Sequence, residues 1–324
     1  MKLRVDDLKR DCRYFRGDIP CKPHKQHGVH CRDENGKDCS HYDPVSKRIL
    51  IIKLGALGDV IRTTPLLHVL KKTEPRAEVW WITNTPDIIP KSVDYIIPFT
   101  PQSVVTLRAT EFDIIYSLDK DREAAALCAQ LSAKVKKGFT LRDGKCLPID
   151  AAAEHKYLTG LFDDLSKANT KSYQAEIFEM CGFTFSGEEY IMPEVKGREW
   201  KLPKGKMIVG LNTGCGGRWT SRLWQEKYWV SLAKKLKREG YIPLLLGGEQ
   251  EHAKNRRLAK QSGALYLGHF PLTEFMSEVD QCELVVTAVT MGMHIAIGMK
   301  KKLVNKPKLF VSPALGATLA LLVM

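Results

Sequence analysis

Apolar residues run without interruption from Ile49 to Ile52 and stop at Lys53. Two glycines, Gly55 and Gly58, come next, then Asp59, and after it Val60, Leu66, Leu67 and Leu70 recur with helical spacing. An apolar run, a glycine turn and a helical repeat predict a buried strand, a tight turn and a helix. In an open parallel sheet, ligands collect at the carboxyl ends of strands, where such a turn sits. Asp59 therefore falls at a helix start, where its charge suits the backbone amides. Taken alone, it serves equally well as a helix-capping carboxylate or as a catalytic one.

The same alternation continues along the chain. AEVWWIT (77–83), VDYIIPF (93–99) and FDIIYSL (112–118) read as strands, and residues 122–133 and 172–182 read as helices. Lys201, Pro203, Lys204 and Gly205 look like a linker, after which MIVGLN opens a second unit as a new buried strand. A helix from Gln225 to Gly240 follows, then the strands YIPLLLGG (241–248) and ELVVTAV (283–289), each with a turn behind it. The simplest architecture is α/β, with two Rossmann-like domains facing one another across a cleft. Residues 1–46 form a cysteine-rich segment, 47–197 the first domain and 198–324 the second. The chain shows no short internal repeat.

Composition narrows the partners. The 324 residues are 44% hydrophobic, a globular value, and carry a formal net charge of +13. That charge favours anionic partners: nucleotides, phosphorylated sugars, an acidic membrane surface or nucleic acid. A solvated basic surface with no single partner is the plainer alternative. The amino terminus MKLRVDDLKRDCR lacks the apolar core of a secretory signal. No apolar run reaches the ~18 residues of a membrane span. The expected location is cytoplasmic, with room for peripheral contact with an anionic inner membrane.

Nine cysteines divide into two groups. Cys128, Cys146, Cys181, Cys215 and Cys282 are scattered, as buried thiols are. Cys12, Cys21, Cys31 and Cys39 cluster before the first strand, among His24, His27, His30 and His41. That segment has little to pack, and four soft ligands suit a structural metal, zinc ahead of iron. The spacing is not that of paired CxxC zinc modules. Two disulfides or a flexible arm of free thiols are the alternatives, the first disfavoured by a reducing compartment.

Three segments of the second domain carry chemistry. In NTGCGGRWTSRLW (212–224), Gly214, Gly216 and Gly217 allow close approach of backbone to a ligand, and Arg218 and Arg222 offer planar donors to a diphosphate. The order of a P-loop and its terminal lysine are lacking, so ordinary ATPase chemistry is unsupported. In LLLGGEQEHAKNRRLA (244–259), Glu249 follows a strand and a glycine pair, where a carboxylate accepts from ribose hydroxyls or simply caps a helix. In VVTAVTMGMHIAIGMKKK (285–302), Thr290 and Gly292 stand where strand gives way to helix, and the turn amides suit a phosphate. His294, one turn in, is either a phosphate donor or a core histidine.

Together these segments resemble the heptosyltransferase family, glycosyltransferase family 9, over roughly residues 48–304. KLGALGDVIRTTPLL, the glycine-arginine-tryptophan loop, LLLGGEQE and VTMGMHIAIGMKK occur in that family's order. The resemblance implies a GT-B fold, an ADP-heptose donor held mainly by the second domain, and a lipopolysaccharide-core acceptor; some relatives glycosylate proteins instead. It places Asp59 on the catalytic base of the family and Arg222 where a diphosphate-binding lysine is usual. Glu249 matches the acidic residue on the nucleoside, and Thr290 and His294 match residues around the diphosphate. Thr213, Gly214, Arg218 and Gly292 complete the expected donor site. One position departs: the family often has Asp before the threonine, and here it is Val289. That Asp helps hold the donor sugar.

The expected reaction is inverting sugar transfer, with Asp59 as base, basic side chains and turn amides on the leaving diphosphate, and no catalytic metal or cofactor. The expected partners are a nucleotide-sugar donor and a lipid-linked glycan or protein acceptor. His68, Asp119 and Asp121 are candidate acceptor contacts. A catalytically impaired nucleotide-sugar-binding protein is the rival, favoured by Val289 and by the apolar tail LFVSPALGATLALLVM. That tail reads either as the end of a shortened chain or as a piece that completes the last strand. Nucleic-acid binding is disfavoured, since the lysines are dispersed and no RNA-binding or zinc-finger motif appears.

Overall fold

The computed structural model describes residues 4–33, 35–195, 197–215, 223–306 and 310–311. Two compact units emerge. The first draws on residues up to Leu54, on Leu66–Thr83 and on Val93–Phe185; the second on Gly55–Pro65, Asn84–Ser92 and residues from Ser186 onward.

The first unit holds a six-stranded sheet. Its strands are β1 (Lys47–Ile52), β2 (Ala77–Thr83), β3 (Tyr95–Pro98), β4 (Glu111–Ser117), β5 (Ser132–Arg142) and β6 (Lys145–Pro148), in the order β3-β2-β1-β4-β5-β6. Pairing is parallel throughout except between β5 and β6. Strand β1 is central, so both its faces are covered, and Ile49 to Ile52 are all fully buried. This is the physical reason for an unbroken apolar run rather than an alternating one. Leu50 and Ile52 pack with Ile82, Phe112, Ile115, Ala124 and Leu127 in one cluster. Strand order reverses at β1, which makes the ends of β1 and β4 the switch point where a ligand crevice is expected.

One helix boundary differs from the sequence reading. The helix expected over 122–133 stops at Gln130, and Leu131 is already extended. Ser132 and Ala133 begin β5, which turns back into β6. Asp143 and Gly144 make the turn with φ of 48° and 71°. Asp-Gly with both residues left-handed is the tight-hairpin signal, so this pair of strands was legible in LRDGK.

The second unit holds a five-stranded sheet of β7 (Ile208–Asn212), β8 (Ile242–Leu246), β9 (Leu284–Ala288), β10 (Lys302–Lys306) and β11 (Phe310–Val311), in the order β11-β10-β9-β7-β8. The first four run parallel, and β11 is antiparallel to β10. The helix Glu226–Arg238 buries Trp229, Leu232, Ala233 and Leu236, the i, i+3, i+4, i+7 stripe of an amphipathic helix. That stripe packs on Val209, Leu211, Leu245, Leu284 and Val286 of the sheet. Each large side chain so buried contributes about 1.5–3 kcal/mol. A charge at Leu211, which is fully buried, would break this contact.

The amino-terminal segment is built differently. Among the described residues from 4 to 46, Pro23 alone is buried. Arg13 ties the segment to the first sheet, donating to Asp43, Asp94 and the Ala77 carbonyl at 3.0, 2.6 and 3.1 Å. No helix among the described residues is long and apolar enough to cross a membrane.

Candidate active site

Asp59 lies in the first turn of the helix Leu57–Thr63, half-exposed, and its carboxylate is paired with Arg62 one turn on. Thr63 Oγ1 donates to the Asp59 carbonyl at 2.7 Å. This short helix packs on the helix Met291–Gly298, which follows β9. The contact is intimate at Gly58: a Cβ there would stand 2.8 Å from Cδ2 of His294. Glycine is therefore required by close approach, in addition to any need of the turn. The backbone amide of Ile191 donates to Thr64 Oγ1 at 2.9 Å, and the Tyr190 hydroxyl stands 3.4 Å from Nδ1 of His294.

His294 is buried, and its pKa is pushed down to about 4. Burial is the larger cause and nearby Arg62 adds to it, while Asp59 opposes both. The imidazole is neutral near pH 7. It fills the space beside Gly58 and brings no positive charge to the site.

The turn after β9 is braced by a side-chain network. Asn212, at the end of β7, donates from Nδ2 to Thr287 Oγ1 at 2.8 Å and to Thr290 Oγ1 at 3.1 Å. Thr290 is the N-cap of the helix that carries His294. The first amides of that helix emerge at the same turn and suit an anion. Gly292 is needed there, because a Cβ would meet Asn212 Nδ2 at 2.6 Å.

The turns after β7 and β8 are joined in the same way. Thr213 is buried and donates from Oγ1 to Asn255 Oδ1 at 2.6 Å, while Asn255 Nδ2 donates to the Leu246 carbonyl at 3.2 Å. Lys254 Nζ donates to the Thr213 carbonyl at 2.9 Å, and burial holds its pKa below the usual lysine range. Gly214 is buried, and a Cβ on it would meet the Glu251 carboxylate at 2.5 Å. The Gly248 amide donates to Glu251 Oε2 at 3.1 Å. Glu249 itself is exposed.

Six expected residues thus come together in the second unit: Gly58 and Asp59 with Thr290, Gly292 and His294 around the helix–helix contact, and Gly55 at the start of the turn. Thr213 and Gly214 line the adjoining turn, and Glu249 stands at the mouth of the next. Arg218 and Arg222, with Gly216 and Gly217, lie outside the described residues, as does most of the apolar tail. In the first unit His68 and Asp121 are exposed, whereas Asp119 is buried and pairs with Lys53. Asp119 also accepts from the Leu54 amide at 2.5 Å, so it fixes the end of β1. Sequence reasoning missed Arg62, Tyr190, Asn212, Glu251, Lys254 and Asn255. Arg62 was findable, since an acid–base pair three residues apart on a helix faces one way. Glu251 was findable too, as the acid three residues past a helix N-cap.

Residues 189–305 match the model of glycosyltransferase family 9 (heptosyltransferase). Over that stretch the chain is similar to glycosyltransferase family 9. That match holds the turns after β7, β8 and β9. Solved structures extend the likeness in fold beyond the domain. E. coli ADP-heptose lps heptosyltransferase II superposes with a TM-score of 0.61 at 18% identity, covering 80% of this chain and 84% of that one. The glycosyl transferase family 9 protein from Veillonella parvula DSM 2008 gives 0.59 at 18%, covering 81% and 80%. E. coli heptosyltransferase WaaC with ADP-2-deoxy-2-fluoro heptose gives 0.54 at 18%, covering 80% and 88%. At this identity the likeness is one of fold, and the two parallel sheets agree with the GT-B fold of those heptosyltransferases. No curated protein matches the chain in sequence.

Proposed function

We propose that this chain is an inverting glycosyltransferase that moves a heptose or related sugar from a nucleoside diphosphate to a glycan hydroxyl. The observation that carries this reading is the packing of the Asp59 helix on the helix behind Thr290, with Gly58 against His294. That packing supports reading Asp59 as a carboxylate that works near a helix start suited to phosphate. In this reading Asp59 takes the proton of the acceptor hydroxyl as that oxygen bonds to the anomeric carbon. The anomeric C–O bond breaks on the opposite face, and its electron pair leaves with the diphosphate. Arg62 orients the carboxylate. Turn amides, Thr290 and Thr213 with the cationic Arg218 and Arg222 hold the leaving group, so the reaction is assigned no catalytic metal.

ADP-heptose is the proposed donor, because a relative in fold was solved with ADP-2-deoxy-2-fluoro heptose. Glu251 or Glu249 would accept from the ribose. A lipopolysaccharide-core glycan is the proposed acceptor, with a protein acceptor as the variant, and the basic surface suits work beside an anionic inner membrane. Val289, exposed at the end of β9, supports a second reading as a nucleotide-sugar-binding protein without turnover. A thermal-shift panel of ADP, UDP and GDP sugars, followed by product analysis with core-oligosaccharide acceptors, tests both. Stabilisation by ADP sugars with transfer that Asp59→Asn abolishes upholds the first. Stabilisation without transfer to any acceptor upholds the second, and indifference to every nucleotide sugar ends both.

A further inference from the structure

The metal site expected of Cys12, Cys21, Cys31 and Cys39 is not assembled: no three His, Cys, Asp or Glu side chains among the described residues are gathered closely enough to hold an ion. What the amino-terminal segment does build is one wall of a cavity of about 880 Å³, to which it gives Phe15 and Arg16. The helix Pro101–Arg108 lines the cavity as well, and the first sheet meets it with the amino ends of β1 to β4. The turn that leads to Asp59 leaves the other end of β1, about 20 Å away along the strand. Within the cavity Trp80 and Tyr95 stack with ring centroids 4.2 Å apart, and no other ring or cation among the described residues lies on Tyr95. Glu78, buried beside them, accepts from Arg48 Nε and Trp80 Nε1 at 2.9 Å each. Both donors go to Oε2, which leaves Oε1 without a hydrogen bond among the described residues. The Tyr95 hydroxyl also makes none, and burial, with Glu78 adding to it, holds its pKa above the usual phenol range. It therefore stays protonated and able to donate.

We propose that this cavity is a non-catalytic glycan site, in which a neutral oligosaccharide lays one ring on Tyr95 and hydrogen-bonds to Glu78. Three of the four cations that line it are already paired, Lys47 with Glu74, Arg48 with Glu78 and Arg16 with Asp18. Charges matched in this way select neither an anion nor a cation. An aromatic face that attracts C–H groups, set beside a carboxylate acceptor and a phenol donor, suits a ring of hydroxyls. The volume falls within the roughly 300–1,000 Å³ of small-ligand pockets. This site goes beyond the sugar-transfer reading and does not rest on it.

Saturation-transfer NMR titrations of the full chain test the site. The probes are cellotriose, maltotriose and triacetylchitotriose, with ADP and spermidine as the anionic and cationic alternatives. At least one trisaccharide should bind with a Kd on the order of 1 mM. Tyr95→Ala should weaken that binding about tenfold or more through loss of the aromatic face. Tyr95→Phe keeps the ring and its stack on Trp80, so a loss of less than about threefold is expected. Thr106→Arg covers the case in which Tyr95→Ala misfolds: Thr106 is an exposed position that lines the cavity, and the added bulk should weaken binding about tenfold. Asp59→Asn should bind the trisaccharide as wild type does, which separates this site from the candidate active site. No binding of any trisaccharide up to about 10 mM would overturn the proposal. So would trisaccharide binding that Tyr95→Ala and Thr106→Arg leave unchanged or that Asp59→Asn abolishes, or loss in the Tyr95 and Thr106 variants of ADP or spermidine binding in its place.

Discussion

Two carboxylates in this chain follow a strand and a glycine turn, and they have opposite surroundings. Asp59 is half-exposed, gripped by Arg62 and set beside a buried neutral imidazole. Glu249 stands exposed at its helix start, while Glu251, two residues on, caps the Gly248 amide and abuts Gly214. The two motifs look alike as text. What separates them is the neighbouring element: a second helix is packed on the Asp59 helix, whereas Glu249 stays exposed and it is Glu251 that meets the turn after β7. A strand-end carboxylate becomes a candidate for chemistry when a second element holds it in place.

The largest expected effect comes from breaking that contrast at its centre. Asp59→Asn should cut turnover by about 10²–10⁴, the usual worth of a positioned base, with donor affinity changed less than about twofold. Glu249→Gln should leave turnover within about twofold of wild type. Initial-rate kinetics against an equilibrium donor titration checks the pair, and equal losses in both variants would erase the distinction.

A third carboxyl, Glu278, sharpens the comparison because it is buried with neither carboxylate oxygen hydrogen-bonded among the described residues. Burial lifts its pKa to about 8, against the opposing pull of Arg198. An acid whose folded pKa is raised contributes full stability below its unfolded value, near 4.5, and loses it as pH climbs toward 8. The loss at pH 8 is on the order of a few kcal/mol. Thermal unfolding should show Tm of wild type falling relative to Glu278→Gln between pH 5 and pH 8. A Tm difference independent of pH across that window would show that Glu278 does not titrate there.

Smaller effects follow at the contact itself. Gly58→Ala sets a methyl against the buried His294 ring, and a cost of about 1–3 kcal/mol in stability is expected from overpacking. Adding His294→Ala should recover about 1 kcal/mol or more in a double-mutant cycle, since the two sites touch. Simple additivity in chemical denaturation would mean that the helices do not meet there. Smallest is the donor side. Glu251→Ala should raise donor KM by about three- to tenfold through loss of a charge-assisted contact, while Glu249→Ala changes it less than about twofold. The reverse order would make Glu249 the nucleoside contact.

Much of the architecture was legible before any coordinates. The strands at 77–83 and 112–118 and the helices at 172–182 and from Gln225 fall within a residue or two of their observed ends. These elements have strong periodicity and clear stops such as Gly182, whose φ is 84°. The β5–β6 hairpin was missed because alanines 124–126 suggest a helix that continues, and the Asp143-Gly144 signal comes only after the boundary. In the site, Asp59, Thr290 and His294 could be named because glycines and strand ends mark the turns. Asn212, Asn255 and Tyr190 could not, as a polar residue does not announce in the sequence which distant group it braces. Asp119 shows the converse error of placement: its strand-end position suggested an acceptor contact, yet it is taken up by Lys53 and the Leu54 amide.

The sequence by itself determined two parallel α/β sheets, the turns at their strand ends and the kind of charge each turn carries. Those are properties of local pattern: the period of apolar residues sets the element, and glycine sets the turn. Only the tertiary structure decided which turns meet. The Asp59 turn follows β1 in the chain, but its helix packs with the helix behind β9, and Gly58 is closed over by His294 from more than two hundred residues away. Packing of that range depends on shape and volume shared between distant segments, which no local window of residues contains.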